Sequence, residues 1–143
     1  MARAQAEDRI SKKVPELLFV CVRNEGRSQL AATLAEHLSA HRVHLRSAGT
    51  QPTGAVNPVV VQALAERGII LDAPYPKPIY TNVVDAAVVV ITMGVREKDT
   101  AFPGKRYEHW DVADPTGVPI ETVRDIRDEI QTRVTQLIRA IVD

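Results

Sequence analysis

The chain has 143 residues and sets 18 lysines and arginines against 18 aspartates and glutamates, a length that fits one domain around one core. Zero net charge excludes the global basic field that draws nucleic acid or an anionic membrane, so any preference for anions must be local. No apolar stretch is long enough to cross a bilayer, residues 1–13 lack the apolar core of a secretion signal, and a single cysteine forbids an internal disulfide; together these read as a cytoplasmic protein with no nucleic-acid or membrane partner.

Residues 1–15 read as a mobile N-terminal extension, and 16–143 as the single domain. Leu17 to Cys21 is a continuous apolar run, the pattern of a central parallel strand covered on both faces. A loop follows, and then Leu30, Leu34 and Leu38, with Ala31 and Ala35, repeat at helical spacing from Ser28 to about Ala40. Val43 to Ala48 alternates apolar with polar residues as a shorter strand that Gly49 stops. Asn57 caps and Pro58 opens a second helix, which Gly68 ends. Pro74, Pro76 and Pro78 predict an extended connection, and Ala86 to Ile91 a second interior strand. After the Pro103-Gly104 turn, Arg106 to Asp111 is a weaker strand candidate. Ile120, Val123, Ile126, Ile130, Val134, Leu137 and Ile141 then step by three or four to the end of the chain, as one long helix. Strands alternating with helices predict an α/β domain with a parallel sheet and helices on both faces, whose ligands bind beyond the carboxyl ends of the strands.

Cys21 stands at such an end, and the residues after it, Val22-Arg23-Asn24-Glu25-Gly26-Arg27-Ser28, have the composition of an oxyanion loop. A loop of this length curls its backbone N–H groups around a tetrahedral anion, with the thiol below, a guanidinium beside it and the start of a helix behind. Gly26 permits close approach and Asn24 tolerates a left-handed turn. The same donors favour thiolate over thiol, which predicts a nucleophilic Cys21 at neutral pH. The competing reading, a small core cysteine at a strand end, needs none of these neighbours at fixed offsets.

With these residues the chain resembles the low-molecular-weight protein tyrosine phosphatase superfamily and, within it, the arsenate reductases. Ser28-Gln29 is similar to the reductase branch, and Ser47-Ala48-Gly49-Thr50, Ile91-Thr92-Met93-Gly94, Phe102-Pro103-Gly104-Lys105 and Trp110-Asp111 leading to Asp114-Pro115 extend the resemblance over nearly the whole chain after Lys13. It implies a four-stranded parallel sheet in a flavodoxin-like order. It also implies residue roles: Cys21 as nucleophile, Arg27 as the bidentate clamp on the oxyanion, and Ser28 as hydroxyl donor to the thiolate. Val22, Arg23, Asn24, Glu25 and Gly26 complete the oxyanion-binding loop, Asn24 holds its shape through bonds that include Ser47, and Asp114 matches the general acid of the phosphatases.

Two departures choose among branches. Thr116-Gly117 follows the Asp-Pro pair where phosphotyrosine specificity goes with an aromatic wall, and Gly94 to Ala101 contains no cysteine where thioredoxin-coupled reductases carry resolving ones. The resemblance then implies an arsenate–thiol transferase similar to the actinobacterial arsenate–mycothiol transferases. It would hold no bound cofactor, take mycothiol or glutathione as co-substrate, and pass the adduct to a mycoredoxin or glutaredoxin-like partner. A phosphatase working through phosphocysteine is the alternative, and a non-catalytic oxyanion-binding module a second one.

His37, His41 and His44 lie at metal-like spacing, but no acidic residue follows His37 as in zinc-protease helices, and histidines suit the last turn of a helix for electrostatic reasons alone. No metal site is expected. Arg46, Lys77, Lys105 and Arg106 read as solvated, His109 as a strand residue, and Glu121 and Arg124 as an exposed helix face. Asp114 has a plainer reading too, as the carboxylate of a turn.

Overall fold

A computed structural model describes residues 14–40, 42–71, 75–95 and 106–142. The elements run β1 (Glu16–Cys21), α1 (Arg27–Ser39), β2 (His44–Gly49), α2 (Pro58–Ala65), α3 (Thr81–Ala86), β3 (Val89–Thr92), β4 (Tyr107–His109) and α4 (Ile120–Val142). The sheet has four strands in the order β2-β1-β3-β4, and every pairing is parallel. This is the expected α/β fold, with β1 in the interior because only a strand buried on both faces tolerates an unbroken apolar run.

Alternate side chains of β1 serve different layers. Leu17 and Phe19 join the larger core, where α1, α2 and α4 contribute Leu30, Leu34, Val60, Leu64, Ile126 and Ile130. Leu18 and Val20 face the smaller one, with Val84 of α3 and Val90 of β3. Phe19 packs its ring against Trp110 at 5.8 Å between centroids and a 55° tilt, the offset geometry that aromatic quadrupoles favour. Register sets Cys21 opposite Gly49 at the carboxyl end of the sheet.

Several boundaries move. Ala86 belongs to α3, and the strand after it begins only at Val89, so the apolar run from Ala86 to Ile91 opens as a helix end. Val88, inside that run, is exposed. Gly49 is the last residue of β2 rather than its stop, and it forms a parallel bridge with Pro78 along the expected extended connection. Of the expected N-terminal extension, residues 1–13 lie outside the described residues, while the Pro15 carbonyl already accepts the His44 N–H. The Pro103-Gly104 turn and Pro74 lie outside them as well.

Arg124, on the expected exposed face, also joins α4 to α2. Its guanidinium donates to both carboxylate oxygens of Glu66, the shortest contact being 2.6 Å, and buried Arg127 donates to Glu66 and to the Ala63 carbonyl at 3.0 and 2.8 Å. The Arg124 hydrogen bonds, with help from Arg127, hold the Glu66 carboxyl at a pKa of about 2. A free glutamate titrates at about 4.3. A depressed carboxylate contributes stability that is complete above its unfolded-state pKa and lost as pH falls through its folded-state pKa. Glu66→Gln should therefore lower the melting temperature at pH 7, and its deficit against wild type should shrink as pH falls from about 4.3 towards 2. A deficit independent of pH would show that the carboxylate charge is not what clamps α2 to α4.

Candidate active site

Cys21 ends β1, is 3% exposed, and its sulfur meets two donors. The Asn24 N–H lies 3.2 Å from Sγ and the Ser28 hydroxyl 2.8 Å. Asn24 is fully buried at φ +58°, the left-handed turn expected of it. Its amide Nδ2 donates to the Ser28 oxygen at 2.6 Å, which leaves the Ser28 proton to be directed at sulfur. The amide is held this way round because its Oδ1 accepts from Gln29 Nε2 at 3.0 Å and from the Lys77 backbone N–H at 2.9 Å. A chain of oriented donors thus ends on the thiol.

The loop backbone is held from outside. The Cys21, Val22 and Glu25 carbonyls accept from the N–H groups of Thr50, Gln51 and Asn57, at 3.1, 2.7 and 2.8 Å. Across a trans peptide the next N–H points the opposite way, so the N–H groups of Val22, Arg23 and Gly26 are turned away from the segment 50–57. Close contact with Gly49 supports this arrangement. A Cβ there would lie 2.6 Å from the Val22 oxygen and 2.9 Å from the Asn24 nitrogen.

Arg27 opens α1 and reaches across the end of the sheet. Its guanidinium donates to the Val112 carbonyl at 3.1 Å and lies 3.8 Å from Asp114 Oδ2. It rests directly on Gly94, where φ is +68° and a Cβ would fall 2.5 Å from the nearest guanidinium nitrogen. Pro115 rests on Gly26 in the same manner, 2.6 Å from where a Cβ would stand. Asp114 Oδ1 accepts the Thr116 backbone N–H at 3.0 Å and its hydroxyl at 2.7 Å, a turn that leaves Oδ2 towards Arg27. Partial burial pushes the Asp114 carboxyl up, but the Thr116 hydrogen bonds and the charges of Arg27 and Arg23 outweigh it and hold the group below its ordinary range.

The structure therefore brings together Cys21, Asn24, Gly26, Arg27, Ser28 and Asp114. Glu25 accepts the Thr53 hydroxyl at 3.2 Å, and Arg23 is exposed. Ser47 is buried in β2, but the expected bond from Asn24 is absent; Asn24 is committed to Ser28, Gln29 and Lys77. Lys77 departs from its expected solvated state: burial lowers its pKa, and its ammonium lies over the Tyr75 ring and donates to the Tyr75 carbonyl. His41 and Lys105 lie outside the described residues, and among those residues no cluster of His, Cys, Asp and Glu could hold a metal. Sequence reasoning missed Thr116, treated only as a missing aromatic, although Asp-x-Thr spacing is itself a turn signal. It also missed the Lys77 backbone N–H, which leaves no mark in a sequence.

Residues 16–143 match the low molecular weight phosphotyrosine protein phosphatase family, and the chain belongs to it, on the arsenate reductase branch. A thioredoxin-dependent arsenate reductase of Corynebacterium glutamicum superposes with a TM-score of 0.79 and 37% identity, over 96% of this chain and 67% of that one. A glutaredoxin arsenate reductase of Synechocystis is 31% identical over 129 residues, covering 88% of this chain and 98% of its own. The protein-arginine-phosphatase of Bacillus subtilis is 30% identical over 145 residues, covering 88% and 96%.

Gly94 offers a direct test of the Arg27 geometry. Gly94→Ala should cost about 1–2 kcal/mol for a side chain in the left-handed region, while displacing the guanidinium and weakening anion binding by about tenfold, the scale of losing a charge-assisted hydrogen bond. Protection of Cys21 from iodoacetamide by phosphate or arsenate, measured beside the melting temperature, separates the two effects. Undiminished protection in the folded variant would show that Gly94 does not set the position of Arg27.

Proposed function

We propose that the chain is an arsenate reductase that works as an arsenate–thiol transferase. The observation that carries this reading is one sulfur, Cys21, gathered under Asn24 and Ser28 donors in a 143-residue chain that contains no other cysteine. Arsenate enters the Cys21–Arg27 loop, where the backbone N–H groups of Val22, Arg23 and Gly26 and the Arg27 guanidinium take its oxygens. The Cys21 thiolate engages arsenic, and one arsenate oxygen departs as water. A low-molecular-weight thiol then takes arsenic over, forming its own As–S bond and releasing Cys21 as thiolate. Arsenic is still pentavalent at this point. A redoxin thiolate next attacks the sulfur of that adduct, an S–S bond forms, the As–S electron pair stays on arsenic, and arsenite leaves.

Asp114 supplies the proton for the departing water in this scheme. In the free chain it is held ionised beside Arg27, but an arriving dianion opposes that charge and moves the carboxyl back up. Mycothiol with a mycoredoxin is the preferred reductant pair, and glutathione with a glutaredoxin is the other; the Synechocystis relative, by its name, supports the second. Phosphocysteine hydrolysis is the competing reaction, favoured by the Asp114–Arg27 pairing and by the Bacillus relative. No helix among the described residues is long and apolar enough to cross a membrane.

Coupled turnover decides between these readings. Thioredoxin and its reductase alone should consume almost no reducing equivalents when arsenate is added, while mycothiol with its redoxin, or glutathione with glutaredoxin, should sustain turnover. Cys21→Ser should abolish it, since a serine hydroxyl does not ionise near neutral pH. Vigorous turnover on thioredoxin alone would refute the external-thiol mechanism, and aryl phosphate hydrolysis without any arsenate response would make the protein a phosphatase.

A further inference from the structure

Asn57 makes contacts in three directions. Its backbone N–H donates to the Glu25 carbonyl at 2.8 Å, within the loop that holds Cys21. Its side-chain Oδ1 accepts the Val59 N–H at 2.9 Å and so caps α2. Its Nδ2 donates to the Pro115 carbonyl at 3.3 Å, in the segment that carries Asp114. Capping explains only the middle contact. Any good capping residue supplies an acceptor for the helix, but only an amide also supplies a donor on the opposite side of the same group.

Pro115 is buried, and it is pinned twice over: its ring lies on Gly26, and its carbonyl is held by Asn57. Asp114, the residue before it, is more than half exposed on its side chain and has few constraints of its own beyond Thr116 and Arg27. The backbone position from which Asp114 faces Arg27 is therefore set at Pro115.

We propose that Asn57 is a positioning residue for Asp114, tying the Asp114–Pro115 segment to the oxyanion loop so that the carboxylate stays beside Arg27. The proposal rests on the reading of Asp114 as proton donor given above. A donor must stand within hydrogen-bond reach of the oxygen it protonates. Small displacements of a reacting group lower turnover more than binding, because alignment matters most in the transition state.

Asn57→Ser and Asn57→Asp test this, since both keep an acceptor for the Val59 N–H and hence the cap. Serine is too short to reach Pro115, and aspartate turns an oxygen towards the Pro115 carbonyl in place of the donor. Both variants should melt close to wild type. In the coupled arsenate assay, and in aryl phosphate hydrolysis if the protein catalyses it, kcat should fall about tenfold with KM for the anion changed less than about twofold. Hydrogen exchange should accelerate in residues 111–117 and stay unchanged in the first turn of α2. In an Asp114→Asn background, Asn57→Ser should cost nothing further, the signature of two residues acting as one.

The outcomes separate. If Asp114→Asn alone leaves turnover unchanged, the role of Asp114 fails, and the positioning role fails with it. If Asp114→Asn is damaging but Asn57→Ser costs the same factor in both backgrounds, Asp114 keeps its role and the proposal is overturned. Unchanged exchange in residues 111–117 overturns it whether or not either substrate is turned over.

Discussion

The site depends on a single buried amide. Asn24 has no access to solvent, so each polar atom of its side chain must find a partner inside the protein or cost the free energy of an unmade hydrogen bond. Gln29 and the Lys77 backbone N–H take the oxygen, Ser28 takes the nitrogen, and that assignment leaves the Ser28 proton facing Cys21. The left-handed backbone of Asn24 turns its own N–H towards the same sulfur. One buried amide thereby decides the hydrogen-bonding state of the Cys21 sulfur. It also couples the loop to the segment after α2, since its oxygen accepts the Lys77 N–H while its partner Gln29 donates to the Tyr75 carbonyl.

Around this polar centre the backbone is brought close by missing side chains. Gly49 admits the backbone of Val22 to Asn24, Gly26 admits Pro115 and Gly94 admits the Arg27 guanidinium. Each contact joins a different part of the chain to the loop: β2, the connection before α4, and the end of β3. The parallel sheet makes this convergence possible, because its carboxyl ends gather loops that are distant in sequence. Arg27 and Asp114, more than eighty residues apart, meet there at 3.8 Å.

Relatives with reductase and phosphatase names share this fold, so the fold alone does not choose the reaction. The chemistry of sulfur separates them. A phosphatase returns its cysteine unoxidised by hydrolysis, whereas a reductase must deliver two electrons to arsenic and leave two sulfurs joined. In the reaction proposed above, the single thiol of this chain cannot complete that disulfide alone, and the two joined sulfurs are those of the low-molecular-weight thiol and the redoxin.

Much of this was legible in one dimension. The apolar run ending at Cys21, the three-and-four spacing of α4 and the Asn57-Pro58 helix start were readable because burial on both faces, a one-sided stripe and a cap each impose a local pattern. The turn at Asn24 and the close approach at Gly26 were readable for the same reason, since each demands a particular residue type. The short helix α3 was hidden inside an apolar run, because six residues are too few to show a helical period. The sequence points to Ser47 as the support for Asn24 where the Lys77 backbone N–H stands instead, and it shows Asn57 only as a cap. The sequence by itself determined most of the elements and the left-handed turn at Asn24, since these follow from neighbours along the chain. Only the tertiary structure decided which distant groups orient the loop around that turn, because every residue carries the same backbone N–H and carbonyl, and nothing in its identity tells which of them will meet.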